Sequence, residues 1–486
     1  VPTLSNVSIT SDNSTSTLAK AGDDVTLRFT ASESISTPTV TFRSGGDAIT
    51  DGSVVYSNTS GNTWTAVYTA NASDTDGAVT YSIAFSDTSG NAGTAVTSGS
   101  GSVTMDTTVP TLSNVSITSD NSTSTLAKAG DDVTLRFTAS ESISTPTVTF
   151  RSGGDAITDG SVIYSNTSGN TWTAVYTANA SDTDGAVTYS IAFSDTSGNA
   201  GTAVTSGSGS VTTDTAAPTL SSVSIASDNT NTLKAKAGDD VTLRFTASES
   251  ISTPTVTFRS GGDAITDGSV VYSNTSGNTW TAVYTANASD TDGAVTYSIA
   301  FSDTSGNAGT AVTSGSGSVT TDTTVPTLSN VSITSDNSTS TLAKAGDDVT
   351  LRFTASESIS TPTVTFRSGG DAITDGSVVY SNTSGNTWTA VYTANASDTD
   401  GAVTYSIAFS DTSGNAGTAV TSGSGSVTTD TTVPTLSNVS ITSDNSTSTL
   451  AKAGDDVTLR FTASESISTP TVTFRSGGDA ITDGSV

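Results

Sequence analysis

The sequence predicts an all-β array, a row of small domains set end to end, and three observations lead there. A 108-residue unit recurs almost letter for letter. Within it, apolar residues alternate with polar ones, and clusters of Gly, Asn and Asp break the alternation at short intervals. The unit opens at Val1-Pro2 and returns at Val109-Pro110, Ala217-Pro218, Val325-Pro326 and Val433-Pro434. The first and fourth copies differ only at Met105 against Thr429; the first and second differ at Val55/Ile163, Met105/Thr213 and Thr108/Ala216. Near-identical units in series add length rather than new chemistry, each touching mainly its neighbours. The expected division is 1–108, 109–216, 217–324, 325–432 and a truncated fifth unit at 433–486. Because Val486 aligns with Val54, the chain reads as a window cut from a longer array.

Serine and threonine supply 41 residues of the first copy, yet the alternation argues against a disordered stalk. Val25-Leu27-Phe29 alternates with Thr26, Arg28 and Thr30; Val40 and Phe42 flank Thr41; Tyr81, Ile83 and Phe85 alternate with Ser82 and Ala84. Such runs are half-buried strands with threonine on the wet face. Turn residues separate them at Gly22-Asp23, Gly45-Gly46-Asp47, Asn58 to Asn62, Asp76-Gly77 and Gly90-Asn91. Strands are expected near 3–11, 24–31, 38–43, 48–57, 63–70, 78–86 and 94–105. The Gly/Ser run 98–102 reads as a bulge or loose start to the last of these. Seven strands at this spacing favour an immunoglobulin-like two-sheet sandwich, with a closed barrel as the rival. The expected core is Val7, Ile9, Val25, Leu27, Phe29, Val40, Phe42, Trp64, Tyr81, Ile83 and Phe85, with Trp64 as a packing anchor.

Acids exceed bases by 30 over the chain, and the first copy carries ten acids against Lys20, Arg28 and Arg43. That balance opposes contact with nucleic acid or anionic lipid. The chain has no cysteine and no histidine, which removes thiolate and zinc sites and His-based catalysis. No apolar run approaches the roughly 20 residues that span a bilayer, so no membrane insertion is expected of this segment. A lone Asn-x-Ser/Thr sequon is weak evidence for a glycan, and those at Asn6, Asn13, Asn58 and Asn71 barely exceed chance.

If the strands run alternately down and up, Glu33 and the segment from Asp87 to Gly93 share the entry pole of a domain. Asp12, Asn13, Asp74, Asp76 and Asp106 fall at the opposite pole. In an end-to-end array Asp106 then lies near Glu141, Asp195 and Asn199. The same set recurs as Asp214, Glu249, Asp303 and Asn307, and again as Asp322, Glu357, Asp411 and Asn415. Three carboxylates converging on a short linker repel unless neutralised. Calcium suits them, taking six to eight oxygens in flexible geometry, with magnesium second. Asp74-Thr75-Asp76-Gly77 is a further candidate cation loop, though it lacks the spacing and terminal glutamate of an EF-hand.

Asp87-Thr-Ser-Gly-Asn91 followed by Asp106-Thr-Thr-Val-Pro110 resembles the repeat signature of bacterial immunoglobulin-like domains in giant surface adhesins. Ala31-Ser-Glu33-Ser and Lys20-Ala-Gly-Asp23 fit the same pattern, and the resemblance spans every copy. It implies a long extracellular stalk at the cell surface, stiffened by calcium at the junctions of Asp106, Glu141 and Asp195. The near-identity of neighbouring copies departs from the family. A stalk is thus the expected function. A self-assembling filament or sheath, with lateral self-association, is the alternative, followed by a carbohydrate-binding module. Paired carboxylates serve glycosidases, but here they repeat in turns at every junction without a pocket-forming insertion, so no enzyme is expected.

Overall fold

The computed structural model describes residues 1–482 other than 51, 159, 267 and 375, and the described residues form strands and turns without a helix. The first copy contains β1 (Leu4–Ser11), β2 (Leu18–Ala19), β3 (Asp24–Ala31), β4 (Thr39–Ser44), β5 (Asp47–Ala48), β6 (Val55–Ser60), β7 (Thr63–Thr69), β8 (Gly77–Ala84) and β9 (Thr104–Met105). They make a four-stranded sheet in the order β1-β3-β7-β6 and a five-stranded sheet in the order β2-β9-β8-β4-β5. This is the strand arrangement of an immunoglobulin-like sandwich. The second, third and fourth copies repeat it strand for strand, each pair of sheets drawing on one copy alone. No ladder joins β5 to β6, so the sandwich stays open on that side and the closed barrel is set aside.

The alternation read from sequence turns directly into two faces. Val25, Leu27 and Phe29 point inward from β3, Val40 and Phe42 from β4, and Tyr81 and Ile83 from β8, while the residues between them face solvent or lie half-buried. Every expected core residue joins one apolar cluster, with Trp64 half-buried at its margin. The largest fully buried side chain is instead Tyr68 on β7, whose ring meets Phe42 of the other sheet at 4.7 Å between centroids. This tilted contact ties the two sheets together.

Two expected strands differ in the structure. The run 48–57 divides into β5 on one sheet and β6 on the other, because the chain crosses between layers around Gly52. The run 94–105 is mostly irregular, with only Thr104–Met105 laddered. Before that, Val96 bridges Ile83 on one sheet and Ser100 bridges Ser8 on the other, so the segment crosses the layers and follows neither edge. Its glycines permit the crossing. A Cβ on Gly99 would lie 2.4 Å from the Val7 carbonyl oxygen, and one on Gly101 would lie 2.3 Å from that of Ile9. Gly101 also has φ +79°, a region L side chains rarely adopt. The short β2, missed in the sequence, runs parallel to β9 and holds it in place.

β1 carries a bulge between Ser5 and Ser8, with Asn6 at φ 51°. Asn114 and Asn330 repeat this left-handed conformation, but the third copy has Ser222 there. Asparagine tolerates the left-handed region better than serine. Ser222→Asn should therefore stabilise the third copy by about 0.5–1 kcal/mol, read as slower amide hydrogen exchange along Leu220–Ser227. Gly101→Ala should do the reverse in the first copy, costing about 2–4 kcal/mol through the clash with β1. Faster exchange confined to the first copy is the expected signature.

Candidate metal centre at the repeat junctions

The linker between copies is short and pinned along its length. Asp106 directly follows β9, and its N–H donates to the Ala19 carbonyl on β2 at 2.9 Å. Asp76 then clamps the next two residues, accepting the Thr107 N–H at 2.6 Å and the hydroxyls of Thr107 and Thr108 at 2.9 and 2.5 Å. Beyond Pro110, Thr111 and Ser140 exchange two hydrogen bonds, one through the Ser140 hydroxyl, which fix the start of the second copy to its own loop carrying Glu141. That loop is held against the next functional loop by the Ile143–Asp195 bridge and by Ser144, whose hydroxyl donates to the Asp195 carbonyl.

These constraints bring Asp106, Glu141 and Asp195 together, one carboxylate oxygen from each lying within 4.8 Å of the others. Asp214–Glu249–Asp303 and Asp322–Glu357–Asp411 repeat the triad, giving three among the described residues. Asn199 sits beside the first triad and spans the junction. Its Nδ2 donates to the Asp106 carbonyl at 2.7 Å and to the Asp195 carboxylate at 2.8 Å. Ser197 adds a hydroxyl bond to the Asp106 carboxylate at 2.9 Å. From the first copy, Asn13 donates to the Ser197 carbonyl at 2.9 Å and to its own Asp23 at 2.6 Å. Asn307 with Ser305 and Asn415 with Ser413 reproduce these ties on Asp214 and Asp322.

Glu141 is the least satisfied member. Its Oε1 is buried without a hydrogen-bond partner, as is that of Glu357. Burial pushes the Glu141 carboxyl above its ordinary range, and the nearby Asp106, Asp195 and Asp76 charges push the same way. Asp76 shows the opposite balance. Burial pulls it upward, but the hydrogen bonds from Thr108 and Thr107 outweigh that and hold it below the usual carboxylate range.

The donor set fits a hard cation. Oxygens around calcium at 2.3–2.6 Å lie at most about 5 Å apart, matching the observed cluster, and the orphaned glutamate oxygen is a free acceptor. The residues present would supply carboxylates from both copies. Asp74 and Asp76, expected as a separate cation loop, are drawn into other work. Asp74 accepts the Asn71 N–H at 2.8 Å, while Asp76 holds the linker, and neither joins a triad.

Three contributors escaped the sequence reading. Asn13 was placed at the right pole without its partner, and Ser197 gave no signal. Lys234 stands where the other full copies have Leu18, Leu126 and Leu342, a difference legible by aligning copies. The covering role of the next copy shows in the lysines. Lys20, Lys128 and Lys236 are 33–35% exposed beneath the following copy's loop, where a Cβ on Gly198, Gly306 or Gly414 would lie 3.2–3.4 Å from their Cε.

The opposed pKa shifts predict a two-sided pH response in the absence of metal. Glu141 binds its proton more tightly in the docked junction, so its penalty is full at neutrality and relieved as pH falls towards the ordinary carboxylate range. Asp23 and Asp76, held low, contribute stability that disappears only as pH falls through their lowered values. Scattering in chelator should therefore show the array stiffening on mild acidification and loosening again in stronger acid.

No family model matches the chain, and no curated protein matches it. Among solved structures, a three-domain I-band fragment of titin, I67–I69, is 14% identical, with 66% of this chain and 98% of that one covered at a TM-score of 0.30. A tetra-tandem repeat from the extending region of a large adhesion protein is 15% identical over 84% of this chain and 96% of that one, at 0.34. The insect immune protein hemolin is 13% identical over 87% and 100%, at 0.23. Likenesses at this level carry nothing about function, and it is the strand order that makes the chain a tandem array of immunoglobulin-like β-sandwiches.

Proposed function

We propose that the chain is an extender segment of an extracellular surface protein, a stalk whose joints are stiffened by calcium. The units are the four 108-residue copies and the partial fifth. The observation that carries this reading is the recurrence at three junctions of the same carboxylate triad, shared between neighbouring copies and ringed by the same asparagine and serine ties. At the first junction Asp106 comes from one copy and Glu141 with Asp195 from the next, so an ion held by all three couples the two rigidly. Bound calcium supplies two positive charges against three negative ones, removing most of the repulsion that otherwise opposes docking. Asp76 and Pro110 shorten the free linker, and Asn199 fixes the angle.

The reading is mechanical rather than catalytic. Each copy spans roughly 35–45 Å, so four reach on the order of 150–200 Å. A carbohydrate-binding module wants a row of exposed aromatics, whereas the rings of the described residues are buried or half-buried. Lateral assembly has one observation in its favour, the unpaired edge β6 with Val55 63% exposed. A net charge of −30 opposes it.

Small-angle scattering of the full chain tests the stalk. Calcium should give an extended rod, and chelator should shorten the mean end-to-end distance and broaden its distribution. Glu141→Gln should weaken calcium binding at the first junction by on the order of tenfold, while loosening that junction less than wild type in chelator. A profile unchanged by calcium and chelator would remove the metal from the proposal.

A further inference from the structure

We infer that Lys234 makes the third junction a fixed joint, tying the third copy to the fourth without a metal and lowering calcium affinity at the Asp322–Glu357–Asp411 triad. The second half rests on the calcium reading above; the first half does not.

Lys234 lies on the short strand Lys234–Ala235, the third copy's equivalent of β2. This strand positions the triad's upstream carboxylate, because the Ala235 carbonyl accepts the Asp322 N–H at 2.9 Å. Lys234, one residue earlier, therefore has its backbone beside the junction. In the first and second copies that position holds Leu18 or Leu126, whose side chain has nothing to donate. Lys234 instead reaches across, its Nζ donating to the Thr412 hydroxyl at 2.8 Å and approaching the Ser413 hydroxyl at 3.2 Å. Ser413 is almost wholly buried, and its hydroxyl donates a hydrogen bond to the Asp322 carboxylate at 2.7 Å. The ammonium, the serine and the aspartate form one chain of hydrogen bonds that crosses the linker and returns.

The charge acts on the triad as well. Burial, Asp322, Asp411 and Asp292 all push the Glu357 carboxyl up, and Lys234 alone among the named causes pulls it down. Glu141 and Glu249 have no such cation. The nearby Lys236 is already paired with Asp239 and is matched by Lys20 and Lys128 in the other copies, so it does not distinguish the third junction. A fixed positive charge beside the triad supplies part of the neutralisation that a bound ion supplies elsewhere, and repels the ion itself. At the effective dielectric of a protein surface this weakens divalent binding by roughly three- to tenfold.

Because the chain has no cysteine, introduced pairs can be spin-labelled without background. Ser57→Cys with Ser165→Cys spans the first junction and Ser273→Cys with Ser381→Cys spans the third, all on exposed positions of β6 and its equivalents. In excess chelator the first pair should show a distance distribution about twofold broader than with calcium, as a freed linker allows, while the third stays narrow. Lys234→Leu should broaden the third pair in chelator, and Lys234→Arg should keep it narrow. During calcium titration the wild-type third pair should need several-fold more ion than the first, the gap closing in Lys234→Leu. A third pair as broad as the first in chelator, or unmoved by Lys234→Leu, overturns the tie. Equal calcium midpoints overturn the affinity difference. A first pair that ignores calcium overturns the metal reading, and leaves the chelator comparison at Lys234 to stand by itself.

Discussion

Everything at the junction follows from how little chain separates the end of one sandwich from the start of the next. Asp106 is fixed by backbone pairing to β2, Thr107 and Thr108 are held by Asp76, and Thr111 is held by Ser140. The copies cannot stand apart, so the loops bearing Glu141 and Asp195 are pressed onto Asp106. Hydrogen bonds from Asn199, Ser197 and Asn13 favour that docking, each contributing about 1 kcal/mol. Carboxylate repulsion and the orphaned glutamate oxygen oppose it. Both sides act at the same contact. On the proposed reading, a change in charge at that contact, by cation, proton or side chain, shifts how firmly the joint is held.

The parts of the molecule governed by period were legible in sequence. Val25, Leu27 and Phe29 face inward because strand side chains alternate, and alternation survives whatever the surroundings. The triad was legible for a related reason: strand direction assigns loops to poles, and a repeat of fixed length sets one pole against the next. What escaped depends on side-chain reach or on the crossing of layers. Nothing in the run from Thr94 to Met105 announces that it touches both sheets in turn, since threonine and glycine fit a loose edge strand equally well. Tyr68 was passed over for Trp64, although its alternation with Ala66 on β7 placed it inward. Asp76 carries a cation-loop pattern, but its oxygens meet threonine donors 31 and 32 residues away, a pairing no local motif encodes.

Near-identity of the copies makes their few differences informative, since each falls on a common background. Ala216 stands where the first linker has Thr108, so Asp184 keeps the Thr215 bonds and loses the second hydroxyl. The second linker is held by less than the first. Buried Met105 replaces the threonine that, in later copies, bonds both Ser152 and the Gly185 carbonyl or their equivalents, exchanging a polar contact for apolar packing inside the first copy. Lys234 adds a cross-junction donor that the first two junctions lack. Two of these three changes touch a linker or the interface it spans. Val55/Ile163, Met105 and Ser222 change the sandwiches themselves, whereas Ala216 and Lys234 change what holds one copy to the next. Stiffness in such an array is a property of each junction separately, because a copy contacts only its neighbours. On the proposed reading an array of this kind bends first where its copies are tied least, and among the three triad junctions that is the second, with one clamp fewer than the first and no lysine.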